Sequence, residues 1–174
     1  MTGSPDSTEM ILVIGGARSG KSRQAEHLAR LSGLPRRYIA TAEAWDAEMT
    51  ARIAQHKADR GTDWTLVEAP LDLCSALDQA RDGEVVLIDC ATLWLTNHLL
   101  ADHDLAAETT ALLAAIARCR APVIVVSNEV GWSVVPDNAL ARRFTDAQGR
   151  LNQALAAQAT RVIAVIAGLP MALK

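Results

Sequence analysis

The sequence predicts an α/β fold in which a mostly parallel sheet is flanked by helices. Two observations carry this. Short runs rich in β-branched residues alternate with longer, alanine-rich amphipathic segments along the whole chain. Three of the short runs, 85–88, 123–126 and 162–166, are continuously apolar, as strands covered on both faces must be. A chain of 174 residues suffices for one domain and is short for two. No repeat, low-complexity linker or composition break divides it.

In order along the chain, residues 10–14 form the first predicted strand. Residues 21–31 follow as a helix closed by Gly33 and Pro35, and 37–40 as a second short strand. Over 46–60, Met49, Ile53 and His56 recur at helical spacing. Residues 64–68 read as a strand and 71–79 as a helix. The run 85–88 leads into Asp89, 123–126 into Ser127, and 162–166 towards Gly168, with helices over 105–118 and 140–159 between them. Strand, helix, strand succession of this kind winds a parallel sheet with helical crossovers. Residues 1–9 are polar, carry neither Lys nor Arg, and lack the apolar stretch of a signal peptide, so they are assigned to a tail. Residues 10–174 are expected to form a single domain.

Composition narrows the function. Lys and Arg number 17 against 20 Asp and Glu, a formal charge of −3, which argues against a nucleic-acid binder that relies on bulk positive charge. Cys74, Cys90 and Cys119 are odd in number and form no metal-ligand spacing, as expected of buried thiols in a reducing compartment. The longest apolar run, 162–173, is broken by Gly168 and Pro170 and is too short to span a bilayer. A cytoplasmic location is the expectation.

Gly15-Gly16-Ala17-Arg18-Ser19-Gly20-Lys21-Ser22 satisfies the phosphate-binding pattern GxxxxGK[ST], directly after one predicted strand and directly before a helix. Such a turn points successive backbone N–H groups at phosphate oxygens, and the helix N-terminus adds its partial positive charge. Lys21 is then positioned for the outer phosphates and Ser22 for Mg2+. Asp89, at the end of an apolar run, is the natural second acidic group for the metal, although an acidic residue there also suits a helix cap. Sites in parallel sheets lie at the carboxyl ends of the strands, where Asp89 and the loop are expected to meet. The loop establishes binding of a nucleotide phosphate and leaves the reaction open among ATPases, GTPases and small-molecule kinases.

Two further segments carry candidate chemistry. Arg52, His56 and Arg60 are spaced by four and share a helix face, so two cations would keep the imidazole neutral and able to act as a nucleophile. The same residues also fit a surface pair of Glu48 with Arg52 and a boundary histidine. His27, His98 and His103 read as structural or solvated. The segment 127–136 follows a buried strand and combines Asn128, Glu129, Gly131 and Trp132, an unusual set for a plain connection. Asn128 or Glu129 could receive a ligand hydroxyl or phosphate. Beyond it Arg142, Asp146 and Arg150 share a face, which suits an ion-pair ladder or phosphate contacts.

Taken in order, these motifs resemble the bifunctional cobinamide kinase and cobinamide-phosphate guanylyltransferase family: GGARSGKS at 15–22, YIAT at 38–41, E-M-x-x-R-I-x-x-H ending at His56, LIDCATLW at 87–94, SNEVG at 127–131, and the Arg-, Gly- and Asn-containing stretch from Arg142 into Gln153. The resemblance implies a P-loop NTPase-like fold and two reactions at one site. The first is phosphorylation of adenosylcobinamide by ATP or GTP with Mg2+. The second is transfer of GMP from GTP onto the product through a guanylylated histidine, here His56. It also implies a homotrimer. Ser133 stands where the family loop often has a second glycine. A monofunctional small-metabolite kinase and a nucleotide-gated interaction protein are the alternative readings of the residues alone.

Overall fold

The computed structural model describes residues 9–44, 47, 48, 50, 51, 54, 61 and 63–174. Seven strands form one sheet: β1 (Met10–Gly15), β2 (Arg36–Ala40), β3 (Trp64–Glu68), β4 (Val85–Asp89), β5 (Val123–Asn128), β6 (Arg161–Ile166) and β7 (Leu169–Ala172). Their spatial order is β3-β2-β4-β5-β1-β6-β7, with every neighbouring pair parallel except β6 and β7. The helices are α1 (Lys21–Leu31), α2 (Leu73–Asp78), α3 (Ala91–Leu100), α4 (Leu105–Arg118) and α5 (Ala139–Gln158). Residues 47, 48, 50, 51 and 54 are also helical, within the predicted 46–60 segment.

The period of two along each strand divides the core between the two faces. Ile11, Val13, Leu87, Ile124 and Val126 pack towards α1, where Ala25 and Ala29 are fully buried and one turn apart. Their small side chains let the helix lie close to the sheet. Leu12, Val86, Ile88 and Val125 face the other way, against Trp94, Leu112, Leu151 and Leu155 from α3, α4 and α5. Burial of each such side chain contributes about 1.5–3 kcal/mol.

The predicted strands appear in the predicted places. Two elements were not foreseen. The first is α3, which is buried around most of its circumference, with Thr92, Asn97 and His98 as covered as Trp94 and Leu95. A helix enclosed on most sides has no amphipathic stripe to read. The second is β7, joined to β6 by a two-residue turn in which Ala167 (φ 51°) and Gly168 (φ 81°) are both left-handed. An alanine at such a position is not a turn signal. Glu9, which composition assigns to the tail, is tied to the sheet. Its carbonyl accepts from Val123 N at 2.9 Å, and its carboxylate lies 3.6 Å from Arg161. Among the described residues, no helix is long and apolar enough to cross a membrane.

Candidate active site

Strand order brings three loops to one edge. Since β5 lies between β4 and β1, register pairs Gly15 with Asn128 and Asp89 with Val126. The carboxyl ends of β1 and β4 are therefore two strand spacings apart, about 10 Å. The glycine-rich loop, Asp89 and the 127–136 loop open on the same side of the sheet.

The loop is built around a small number of close contacts. Arg18 (φ 56°) and Gly20 (φ 94°) take left-handed conformations, and Ser19 N donates to Gly16 O at 3.3 Å. Lys21 is only 8% exposed, and its ammonium donates to Gly16 O at 3.3 Å, folding the side chain back over the loop. Ser22 follows, half-buried in the first turn of α1. Neighbouring elements brace this loop from both sides: Glu129 N donates to Gly15 O at 3.0 Å, and Gly168 N to Ser19 O at 2.9 Å. The second contact is supplied by the unforeseen β6–β7 turn. Ser19 Oγ is buried without a hydrogen-bond partner, as is Asn128 Oδ1 across the loop. Buried polar atoms left in this way call for a partner, either ordered water or a ligand.

Asp89 ends β4, half-buried, and Tyr38 Oη donates to its Oδ2 at 2.8 Å. Oδ1 has no hydrogen-bond donor among the described residues. Thr41 clamps the chain just beyond, donating through Oγ1 to Cys90 O at 2.7 Å and accepting from Cys90 N at 2.8 Å. The Cys90 thiol is pushed up to about 11, first by burial and then by the Asp89 charge, with the Lys21 ammonium acting in the opposite direction. Lys21 and Asp89 thus act electrostatically on one point. The thiol itself stays protonated and unreactive at neutral pH. The set formed by the Ser22 hydroxyl and the Asp89 carboxylate consists of hard oxygens, which fits Mg2+.

Behind the edge runs a polar network that the sequence did not disclose. Ser127 Oγ donates to Asn152 Oδ1 at 2.6 Å and accepts from Gln148 Nε2 at 2.9 Å. Asn152 Nδ2 donates to Asn128 O at 3.0 Å, and Asn128 N donates to Thr92 Oγ1 at 2.8 Å. These bonds lock α3, β5 and α5 around Asn128. The i,i+4 spacing of Gln148 and Asn152 on a predicted helix is the one signal that could have pointed to them. Glu129 turns back to accept from Gly131 N at 2.8 Å. Trp132 projects from the loop, 83% exposed. Arg142 donates to Pro136 O at 2.9 Å and Asp137 O at 2.8 Å, so its guanidinium holds the loop rather than an ion pair with Asp146. Arg150 is exposed. His56 and Arg52 lie outside the described residues, as do Asp46 and Arg60. The described residues 41–44 leave the sheet after β2, at the same edge.

The family model for cobinamide kinase / cobinamide phosphate guanyltransferase matches residues 11–173. The chain belongs to this family. It is accordingly a kinase and a nucleotidyltransferase, using nucleoside triphosphates on a corrinoid substrate. Relatives cover almost the full length. The bifunctional adenosylcobalamin biosynthesis protein CobP of Pseudomonas aeruginosa is 51% identical over 94% of this chain and 96% of its own. CobU of Salmonella typhimurium, of the same description, is 44% identical over 95% and 99%. Among solved structures, the flagellar accessory protein FlaH of Methanocaldococcus jannaschii superposes with a TM-score of 0.56 at 14% identity, covering 97% of this chain and 79% of FlaH. The RadB recombinase superposes with a TM-score of 0.55 at 18% identity, covering 91% and 74%. These two share the fold: a mostly parallel sheet with flanking helices, as in P-loop NTPases.

Proposed function

We propose that both reactions of the family run at the carboxyl edge, over the 15–22 loop, as steps of cobalamin biosynthesis. The observation that carries this is a nearly covered Lys21 folded onto a loop whose Ser19 Oγ and facing Asn128 Oδ1 are buried and unpartnered. Backbone N–H groups of Gly16, Ala17, Arg18, Ser19 and Gly20 hold the phosphates, and Lys21 swings from Gly16 O onto the transferred group. Ser22 and Asp89 hold Mg2+, which supplies positive charge against the phosphate oxygens. In the kinase step the substrate hydroxyl attacks the γ-phosphorus in line, and the bond to the β-phosphate oxygen breaks. Asn128 and Glu129 orient the hydroxyl, while Trp132, Arg142 and Arg150 border the corrinoid.

In the transfer step a ring nitrogen of His56 attacks the α-phosphorus of GTP, and pyrophosphate departs past Arg52 and Lys21. A phosphate oxygen of cobinamide phosphate then attacks the same phosphorus and the P–N bond breaks. Two in-line displacements give net retention. Residues 10–174 act as one domain, to which Glu9 is joined through the sheet. A homotrimer with sites near its contacts agrees with exposed Trp132, Val134 and Val135 on the 127–136 loop. The free thiols of Cys74, Cys90 and Cys119 agree with a cytoplasmic location.

Incubation with α-labelled GTP tests the division of labour. His56→Ala is expected to abolish label on the protein and keep most of the phosphorylation of cobinamide. Lys21→Ala is expected to slow both reactions by at least about 10²-fold. Labelling retained in His56→Ala would refute the covalent route. A normal kinase rate in Lys21→Ala would refute the shared loop.

A further inference from the structure

The end of α3 carries a group of side chains that neither reaction uses. Asp102 is left-handed (φ 55°), His103 N donates to His98 O at 3.0 Å, and Asp102 N to Leu99 O at 3.2 Å. These two bonds are those of a Schellman cap, in which the residue after the left-handed position folds back on the residue five before it. An apolar pair ordinarily makes that contact. Here two imidazoles do: His98 Nδ1 and His103 Nδ1 are 2.8 Å apart, with the rings at an edge-on angle of 61°. Glu108, in the first turn of α4, brings Oε2 to 3.8 Å from His98 Nδ1. One ligand atom from each of the three residues lies within 4.8 Å of the others.

The surroundings decide which nitrogen is available. His98 is 3% exposed, and its Nε2 lies 3.2 Å from the Leu71 carbonyl, which also accepts from Trp94 Nε1 at 2.9 Å. A carbonyl oxygen only accepts, so Nε2 carries a proton and the neutral ring presents a bare Nδ1 to His103 and Glu108. A histidine whose distal N–H is fixed by a backbone carbonyl while the other nitrogen points into a cluster has the supporting arrangement of a metal ligand. In a tetrahedral zinc site with bonds of about 2.0–2.1 Å, neighbouring ligand nitrogens are about 3.3 Å apart. His103 lies on a half-buried turn, so the pair has only to open by a few tenths of an ångström.

We propose that His98, His103 and Glu108 form a binding site for one Zn2+ or a similar borderline divalent cation, apart from the nucleotide site. Zn2+ takes the place of the proton between the two Nδ1 atoms, and His103 carries that proton on its Nε2 instead. The Glu108 carboxylate is the third ligand and water the fourth. His98 is six residues beyond Thr92, about 9 Å along α3 from the polar network around Asn128. The ion thus cross-links the end of α3, the following turn and the start of α4.

The test uses the untagged full chain, freed of metal with a chelator and titrated with Zn2+ against a chromophoric competitor, with melting followed in parallel. One Zn2+ per chain is expected at micromolar affinity or tighter, with a rise in melting temperature. His103→Gln, on the half-buried turn, should weaken binding by at least about tenfold and abolish the rise. Glu108→Gln should weaken it less, and His56→Ala should leave it unchanged. Binding weaker than micromolar overturns the proposal, because the imidazole pair is then a helix-end contact only. Affinity unchanged in His103→Gln overturns it too, as does affinity lost in His56→Ala, which would put the ion elsewhere.

Discussion

Tyr38 and Asp89 lie on the neighbouring strands β2 and β4, two register positions apart and so on the same face, and the phenol spends its single proton on Asp89 Oδ2. That bond fixes the plane of the carboxylate and leaves Oδ1 directed elsewhere, which is what a metal-holding acid requires from its supporting residue. Tyr38 also packs edge-on against Trp64 at 5.7 Å, so Tyr38→Phe keeps the packing and removes only the hydroxyl. The Mg2+ concentration for half-maximal kinase rate is expected to rise about tenfold, with kcat at saturating Mg2+ largely kept. An unchanged Mg2+ requirement would remove Asp89 from the metal site. Asp89 was legible because it closes an apolar run. Tyr38 was legible only through resemblance, since a tyrosine within a strand reads as core until its hydroxyl finds an acceptor.

At the level of elements, the phosphate loop is a junction of β1, α1, β5 and the β6–β7 turn. A methyl group at Gly15 would stand 2.6 Å from the Val165 carbonyl of β6, and backbone cannot yield cheaply. At Gly16 a methyl group would meet nothing within 4 Å. Gly15→Ala is therefore expected to cost about 1–3 kcal/mol of stability, whereas Gly16→Ala stays within about 0.5 kcal/mol. Denaturant unfolding of the two variants checks the contrast, and equal losses would contradict the asymmetry. The glycines were visible in the sequence, but their unequal tolerance was not. It arises from β6, about 150 residues further on, reaching β1 only through the sheet. The same separation hid the contact of Gly168 with Ser19, and Ala167 at positive φ concealed the turn that makes it.

Over the whole molecule, the order of the strands is what chain-local patterns leave out. Runs of Val, Leu and Ile announced a parallel sheet, yet nothing near 123–128 says that β5 lies between β1 and β4, and that placement sets Asn128 between the loop and Asp89. Towards the opposite edge the sheet is secured by charge. Arg37 of β2 donates to Glu84, just before β4, at 2.9 and 3.4 Å, and both side chains are largely covered. Hydrogen bonding to the Arg37 guanidinium holds the Glu84 carboxyl below the usual range, outweighing the opposing effect of burial. A carboxylate whose pKa is lowered by folding adds stability above its unfolded value of about 4.3, and that stability is lost as pH falls through the folded value. Glu84→Gln is accordingly expected to cost about 1.5–3 kcal/mol at pH 7. Its difference from the parent chain should shrink towards zero in acid, since the protonated parent leaves Arg37 just as poorly paired. Urea unfolding of both proteins from pH 7 down through the acid range measures this, and a difference that persists undiminished would mean that shape, rather than charge, is what Glu84 contributes.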